Sequence, residues 1–513
     1  MVDEMLWSAI LLPLIAGVGL SFLAEHLLQP GVRPFWRRPT AAFALHLGFL
    51  LLLFAGELLL FRRPWFAMAN VLAILLFIIL VSNAKFHSLR EPFFFQDFEY
   101  FSDALKHPRL FIPFLGLEKI LLALVAYTTA LIAGLTFEPP LTGQLTTANF
   151  VVILVSLVFS GIVLIWLGSR KKLAVSFDPA KDLRQLGLLS SLWRYGEKER
   201  ENISVPVLDN FSKPVLAAPF DLPKLVVVQS ESFFDVRRLF SGVRREILQE
   251  FDSLKSSSAC QGRLTVPAWG ANTVRTEFTF LSGLAPEQLG VHRFNPYRRL
   301  ARQEIPTLAG FLRRLGYRTV CVHPYPASFY SRDKVFSYLG FDEFIDINSF
   351  AGVERTGPYV GDIALAEKVG ALLRESPQQP IFVFVITMEN HGPLHLEKVK
   401  EGDVARFYAT PPPADCADLT IYLRHLHNAD RMAGMVREQL QTLPGPSWLC
   451  WFGDHVPIMP KVYALTGEPD GQTDYLLWGK DDFSSEDTPL DIKIEKLAGL
   501  LLSKMGLVDD ESR

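Results

Sequence analysis

Five apolar stretches lie before residue 170, at about 6–27, 41–61, 65–83, 119–137 and 149–168, and each approaches the roughly 20 residues a helix needs to cross a bilayer. No other feature narrows the fold as far. Hydrocarbon offers no partner to a backbone N–H or C=O, so such stretches must be helical, with their main-chain bonds made inside the segment. Hydrophobic residues make up 49% of the 513, and mean hydropathy is +0.21. Because that excess is concentrated before residue 170, it marks a membrane region rather than an oversized core. Only Asp3 and Glu4 precede the first stretch, and no small-residue cleavage site follows it, so it reads as a retained anchor rather than a signal peptide.

The flanking charges imply an orientation. Arg33, Arg37 and Arg38 follow the first stretch, Lys85, Arg90, Lys106 and Arg109 lie between the third and fourth, and Arg170, Lys171 and Lys172 follow the fifth. Only Arg62 and Arg63 fall on the other side. Basic residues favour the cytoplasmic face, so this count places everything after residue 170 in the cytoplasm. The segment 91–116 is aromatic enough to lie in the membrane interface. Residues 170–220 read as a linker, a mixed helical stretch followed by the proline-punctuated VPVLDNFSKPVLAAPFDLP. A net charge of −3 with mixed signs argues against nucleic acid as a partner. Four cysteines, Cys260, Cys321, Cys416 and Cys450, show no CxxC spacing and so exclude a zinc knuckle or a thioredoxin-like site. Cys321 and Cys450 sit in apolar runs and read as buried thiols.

Beyond the linker, three apolar runs end abruptly in polar residues. Leu225–Val228 lead into Gln229, Ser230 and Glu231; Ile381–Ile386 into Glu389, Asn390 and His391; Trp448–Phe452 into Gly453, Asp454 and His455. Continuous apolar runs of this length read as parallel strands buried on both faces. They alternate with helical patterns near 304–316, 362–375, 419–442 and 489–505, which is a doubly wound arrangement. A further strand, YRTVCVH, ends at His323. Ligands of such sheets bind beyond the carboxyl ends of the strands, where Glu231, His323, His391, Asp454 and His455 all fall. The stretch PAWGANTVRTEFTFLSG adds Thr273, with Glu277 four residues on. A helix is expected from Glu277 to Leu284, its N-terminus near Thr273 favouring a phosphoryl group. The chain from Glu250 to Trp269 reads as an irregular loop.

A threonine hydroxyl is a weak nucleophile until a base or a metal ion activates it. Glu231, Asp454 and His455 with the Thr273 oxygen make four ligands suited to a divalent ion, Mn²⁺ or Mg²⁺ by their oxygens and Zn²⁺ by the imidazole. Singly, each residue is ordinary. Thr273 could be a helix cap, GDH a turn, and Glu231 a surface residue at a strand end. Together they describe one centre.

The set of ES after a strand, T-x-x-x-E-F, ENHGP and GDH resembles the lipoteichoic acid synthase / phosphoglycerol transferase family, within the alkaline phosphatase–sulfatase superfamily. The resemblance spans roughly residues 220–505. It implies an N-terminal α-helical transmembrane bundle (1–169, about five helices), the linker 170–220, and an α/β sulfatase-like domain with a mostly parallel sheet (221–513). It implies one divalent metal ion, Mn²⁺ first and Mg²⁺ or Zn²⁺ as alternatives, held by Glu231, Thr273, Asp454 and His455, with Thr273 as the nucleophile. Substrate contacts fall on His391 and on Arg332 of FYSRD; His323, at its strand end, joins them by position. The implied donor is an anionic phospholipid resembling phosphatidylglycerol, and the implied acceptor is an envelope glycan or polymer. The catalytic domain is then periplasmic or extracellular, against the charge count. One position departs from the family: seven residues before Arg332, where a polar or acidic substrate contact can stand, this chain has Tyr325.

Other readings of the scaffold stay open. A sulfatase would need a C/S-x-P-x-R motif, and Cys260 is followed by Gln261, Gly262 and Arg263. A phosphodiesterase on the same scaffold is a second alternative, and a phosphoethanolamine transferase, which also uses Thr, is closer, although such enzymes usually hold more metal ligands and several disulfides. A membrane sensor or scaffold with a degenerate site is the non-enzymatic alternative, against which the intact Glu231, Thr273, Asp454 and His455 count.

Overall fold

The computed structural model describes residues 2–101, 116–143, 145–201, 211, 221–353, 355–375, 377–480 and 488–508. It forms two compact units, Met1–Asn202 and Ile203–Arg513.

All five apolar stretches of the first unit are helical: α1 (Val2–Glu25), α2 (Thr40–Phe61), α3 (Pro64–Leu89), α4 (Leu117–Phe137) and α5 (Thr147–Arg170). Among the described residues three of them, α2, α3 and α5, are long and apolar enough to cross a membrane. The apolar portions of the other two are shorter, Ala9–Glu25 and Leu124–Phe137. Only 17% of the apolar window of α5 is buried, so its Val, Ile and Phe side chains present a surface suited to lipid. Helices α2 and α5 approach closely because glycines face each other. A Cβ on Gly48 would come within 2.9 Å of the Gly161 carbonyl oxygen.

The first unit extends past the expected start of the linker. Helices α6 (Pro179–Leu186) and α7 (Leu188–Arg200) belong to it. Asp178 caps α6 by accepting from the Lys181 N–H, with Pro179 in the first turn. Leu183, Leu188 and Leu192 pack with Leu28, Val32, Leu75 and Ile79. The buried Glu25 carboxylate, paired with Arg38, accepts from the Leu188 N–H at 2.8 Å. The mixed helical stretch expected in the linker is thus helical but packed into the first unit, and most of the remaining linker lies outside the described residues. The aromatic segment 91–116 is described only through Phe101 and at Gly116; in it the Phe93 and Phe98 rings meet edge to face at 5.0 Å.

The second unit is built on an eight-stranded sheet ordered β10-β2-β9-β8-β1-β7-β3-β4. Its strands are β1 (Lys224–Ser230), β2 (Cys260–Thr265), β3 (Arg318–Val322), β4 (Glu343–Ile345), β7 (Ile381–Ile386), β8 (Ser447–Gly453), β9 (Thr473–Gly479) and β10 (Ile492–Lys493). A separate hairpin pairs β5 (Arg355–Thr356) with β6 (Tyr359–Val360). The run β8-β1-β7-β3-β4 is parallel throughout, and only β9 is antiparallel to its neighbours. The mostly parallel sheet expected from sequence is therefore present. Residues of β1 alternate between two cores. Val226 and Val228 face helices α8 (Gln249–Ser256), α12 (Asp362–Glu375) and α13 (Ala417–Thr442). Leu225 and Val227 face α9 (Thr273–Ser282), α10 (Leu308–Arg314), α11 (Arg332–Tyr338) and α14 (Ile494–Lys504).

Two expectations change. The chain from Glu250 to Trp269 is not a loop: it holds most of α8 and all of β2, which alternates buried and partly exposed residues between β9 and β10. Helix α9 starts at Thr273 rather than Glu277 and ends where Gly283 turns left-handed at φ 67°.

Candidate functional site

Strands β1 and β8 are adjacent and parallel, with Ser230 opposite Gly453. The residues that follow them, Glu231, Asp454 and His455, leave the sheet side by side. Gly453 is required at this exit, since a Cβ there would lie 1.8 Å from the Phe233 carbonyl oxygen. One ligand atom from each of Glu231, Asp454 and His455 lies within 4.8 Å of the other two. His455 Nε2 is 3.5 Å from both Glu231 Oε1 and Asp454 Oδ2. All three side chains are buried.

Their hydrogen bonding is one-sided. Ser232 donates through Oγ to Glu231 Oε1 at 2.9 Å and through its N–H to Asp454 Oδ1 at 2.8 Å. His455 Nδ1 lies 3.1 Å from the Val456 carbonyl oxygen, which fits an N–H donor there and leaves Nε2 as a lone pair. Asp454 Oδ2 and His455 Nε2 are buried without a hydrogen-bond partner among the described residues. Burial first, and then the Asp454 charge, push the Glu231 carboxyl up to about 8. A divalent cation would satisfy the orphaned atoms and remove the carboxylate repulsion, so the residues present fit one.

Thr273 begins α9 and is partly exposed. The Thr276 hydroxyl, one turn on, donates to the Asp454 carbonyl oxygen at 2.9 Å, which ties the first turn of α9 to the Asp454–His455 loop. Asn272, directly before Thr273, is left-handed at φ 68°. Ser232, after Glu231, and Tyr330 and Ser331, before Arg332, are left-handed too. Each such non-glycine residue costs on the order of 1 kcal/mol, and here they adjoin three of the candidate residues.

Arg332 is buried and bonded on three sides. Its Nη2 and Nε donate to the two Glu277 oxygens at 2.9 and 3.3 Å, and its Nη1 lies 3.4 Å from His323 Nε2. Tyr297 donates to the same Glu277 carboxylate. Burial first, and then the Arg332 charge, hold His323 well below its usual range. The ring is therefore neutral, donating from Nδ1 to the Ile386 carbonyl oxygen at 3.1 Å and accepting from Arg332 at Nε2. Glu277 thus orients Arg332 from the same helix that begins with Thr273. Sequence reading noted Glu277 only as part of a motif; its place one turn after Thr273 was the available signal.

His391 is partly exposed beside Tyr359, with ring centroids 5.6 Å apart. Its Nδ1 lies 2.6 Å from the Gly392 carbonyl oxygen, and burial lowers its pKa. The ring is neutral with Nε2 free to accept. Tyr325 stacks edge to face on Phe329 at 5.3 Å, and its centroid is 6.4 Å from that of Tyr359.

A second buried acid–histidine cluster lies at the end of β7, and sequence reading missed it. His425 on α13 sits between Glu389 Oε1 at 3.1 Å and Glu397 Oε1 at 3.0 Å. Asn428 donates to the same Glu389 oxygen at 2.6 Å, and the Asp362 N–H donates to Glu389 Oε2 at 2.6 Å. Arg424 donates to Asp403 at 2.6 Å. Burial alone would lower the His425 pKa, but Glu389 and Glu397 outweigh it and raise it to about 9.

Comparison with known proteins identifies the family. The family profile described as Sulfatase matches residues 223–506, more than half of the chain. The capsular polysaccharide biosynthesis protein RkpI of Rhizobium meliloti is 29% identical over 451 residues, covering 83% of this chain and 79% of that protein. The Streptococcus pyogenes phosphoglycerol transferase GacH, solved with sn-glycerol-1-phosphate, aligns at a TM-score of 0.46 with 21% identity, over 63% of this chain and 86% of its own. The lipoteichoic acid synthase LtaP of Listeria monocytogenes aligns at 0.45 with 20% identity, over 59% and 77%. Because the Sulfatase profile covers more than half of the chain, the chain is a member of the sulfatase family.

Proposed function

We propose that the protein is a membrane-anchored phosphoglycerol-type transferase that moves a phospholipid head group to an envelope glycan or polymer through Thr273. The observation that carries this reading is the buried Glu231–Asp454–His455 cluster, with two ligand atoms unsatisfied, tied through Thr276 to the helix that begins with Thr273. Those three residues and the Thr273 oxygen would hold one divalent ion, Mn²⁺ by preference. When bound, the ion supplies a lowered hydroxyl pKa and charge neutralisation.

The chain's own groups do the rest. The Thr273 oxygen attacks phosphorus, the bond from phosphorus to the diacylglycerol oxygen breaks, and the head group stays on Thr273 as a phosphodiester. An acceptor hydroxyl then displaces Thr273, which regains its proton. Arg332, its fork aligned by Glu277, holds the phosphoryl oxygens with its remaining donors. His391, neutral with Nε2 free, exchanges the proton that the attacking and leaving oxygens lose and gain. N–H groups at the start of α9 favour the anionic phosphorus centre. The name of RkpI supports a polysaccharide acceptor. In this reading the catalytic unit faces the periplasm or cell exterior, where lipid donor and polymer acceptor meet.

The test is diacylglycerol release from phosphatidylglycerol by the full chain in lipid nanodiscs. Release that requires Mn²⁺ and Thr273 is expected. Release of free phosphate or sulfate from monoesters, with no diacylglycerol, would contradict the reading.

A further inference from the structure

Seven large apolar side chains are exposed in the described part of the second unit: Tyr338, Val353, Leu396, Val399, Val404, Leu465 and Leu490. Single exposed apolar residues are ordinary on a protein surface. These are not evenly spread, since Leu396, Val399 and Val404 fall within nine residues of one another on the segment that follows His391. Val353 precedes the β5–β6 hairpin, which leans on the same segment: a Cβ on Gly357 would lie 2.8 Å from a Glu397 carboxylate oxygen. The hairpin also supplies Tyr359, whose ring touches His391. An apolar rim thus borders the candidate site.

The rim is anchored at both ends. Leu394 at one end and Phe407 and Tyr408 at the other are buried in the core. Its charges are sorted by direction. Glu397 and Asp403 turn inward, where His425 and Arg424 pair with them at 3.0 and 2.6 Å. Lys398, Lys400 and Arg406 remain exposed, with Glu401 as the one exposed acid of the segment. The exposed charges of a segment of balanced composition are therefore mostly cationic, interleaved along the chain with exposed aliphatic side chains. Aliphatic residues beside exposed cations are the surface chemistry that suits anionic lipid head groups lying over acyl chains.

We propose that Leu396, Val399 and Val404, with Lys398, Lys400 and Arg406, form a bilayer-contact surface that rests on anionic lipid beside the candidate site. The inference draws on the proposed function in one respect only: a site that takes a lipid head group has to reach the bilayer surface. The rim would let the lipid rise a short way into the site while its acyl chains stay in the membrane.

The experiment uses the full chain in nanodiscs, so that both bilayer faces are accessible. All four native cysteines are buried, so Val399→Cys can be labelled selectively with an environment-sensitive fluorophore. Emission from position 399 should shift to the blue in phosphatidylglycerol discs and less in phosphatidylcholine discs, while a label at Tyr338→Cys should stay solvent-like. Lys398→Glu with Lys400→Glu should weaken the anionic-lipid response by roughly tenfold or more. Solvent-like emission at 399 in phosphatidylglycerol discs would overturn the inference. Leu396→Asp with Val399→Asp should cut diacylglycerol release from bilayer phosphatidylglycerol about tenfold, and leave hydrolysis of water-soluble bis(4-nitrophenyl) phosphate unchanged. Equal loss of both activities would also overturn it. If the wild type releases no diacylglycerol, the proposed function fails, yet the fluorophore at 399 still decides whether the rim meets lipid.

Discussion

Two buried acid–histidine clusters stand at the same edge of the sheet, and they differ in what is left unspent. In the cluster after β1 and β8, Asp454 Oδ2 and His455 Nε2 have no hydrogen-bond partner among the described residues. In the cluster after β7, both ring nitrogens of His425 and both Glu389 oxygens are engaged. Composition cannot separate the two, since each has carboxylates and a histidine in the interior. What separates a ligand site from a structural brace is hydrogen-bonding capacity left open on several ligand atoms that converge on one point. Asp362 belongs to the second cluster and leaves its carboxylate unbonded, but burial first and Glu389 second push that carboxyl well above its usual range. Glu231 is raised in the same way, so what sets the first cluster apart is that ligand atoms of three residues converge there within 4.8 Å, which among the described residues the second cluster does not match.

On the proposed function, substitution of Thr273 or within the open cluster should give the largest effects. Thr273→Ala should lower turnover by roughly 10³-fold or more, as loss of a covalent nucleophile does. Its melting temperature should stay near that of the wild type, because only a hydroxyl and a methyl are removed. Asp454→Asn should weaken Mn²⁺ binding, read by calorimetry, by at least about 100-fold, beyond the 10–100-fold typical of residues that merely support a ligand. If Asp454→Asn binds Mn²⁺ as the wild type does, the open cluster is not the metal site and the contrast between the clusters disappears.

Arg332→Lys lies between the extremes, because Arg332 is bonded to Glu277 and, on the proposed function, also holds substrate. The charge survives but the fork is lost, so turnover should fall about 10- to 100-fold. The melting temperature should also fall, as Glu277 loses one of its two donors in a buried setting. Unchanged turnover with a lowered melting temperature would make Arg332 purely structural.

The closed cluster should show the smallest effect on chemistry. His425→Gln should lower stability yet leave Mn²⁺ affinity within about threefold of wild type, a difference of well under 1.4 kcal/mol. A pH series sharpens this. The folded pKa of His425, about 9, is raised above the ordinary value near 6.5. Its contribution is therefore full below about pH 6.5, declines as pH rises, and is lost above about pH 9. The melting-temperature gap between wild type and His425→Gln should be wide at pH 6 and should close by about pH 10. A gap that is constant with pH would mean that His425 is held by packing rather than by its two carboxylates.

The legible parts of the molecule were those where local pattern and tertiary role coincide. Continuous apolar runs ending in polar residues marked β1, β7 and β8, and with them Glu231, His391, Asp454 and His455, because central parallel strands are buried on both faces. Strands β2 and β9 were missed. β2 alternates its burial in a polar-looking segment, and β9 carries only the short apolar run Tyr475–Trp478 before Gly479, a weaker form of the signal that marked the central strands. Helix α9 was read four residues late, since its N-terminus is held by the tertiary bond from Thr276 to Asp454 and not by a side-chain cap. The Glu277–Arg332 pair joins residues 55 apart in sequence, so its geometry could not be read from either motif alone. The Glu389–His425 brace was hidden for the same reason.

Trapping the head group on Thr273 tests the central claim most directly. The full chain in nanodiscs would be incubated with Mn²⁺ and head-group-labelled phosphatidylglycerol, without a glycan acceptor, then quenched, digested and analysed by mass spectrometry. The account predicts a labelled glycerophosphoryl group on the peptide carrying Thr273, formed together with diacylglycerol and absent in Thr273→Ala. Diacylglycerol release at the wild-type rate by Thr273→Ala, with no labelled peptide in either protein, would contradict it.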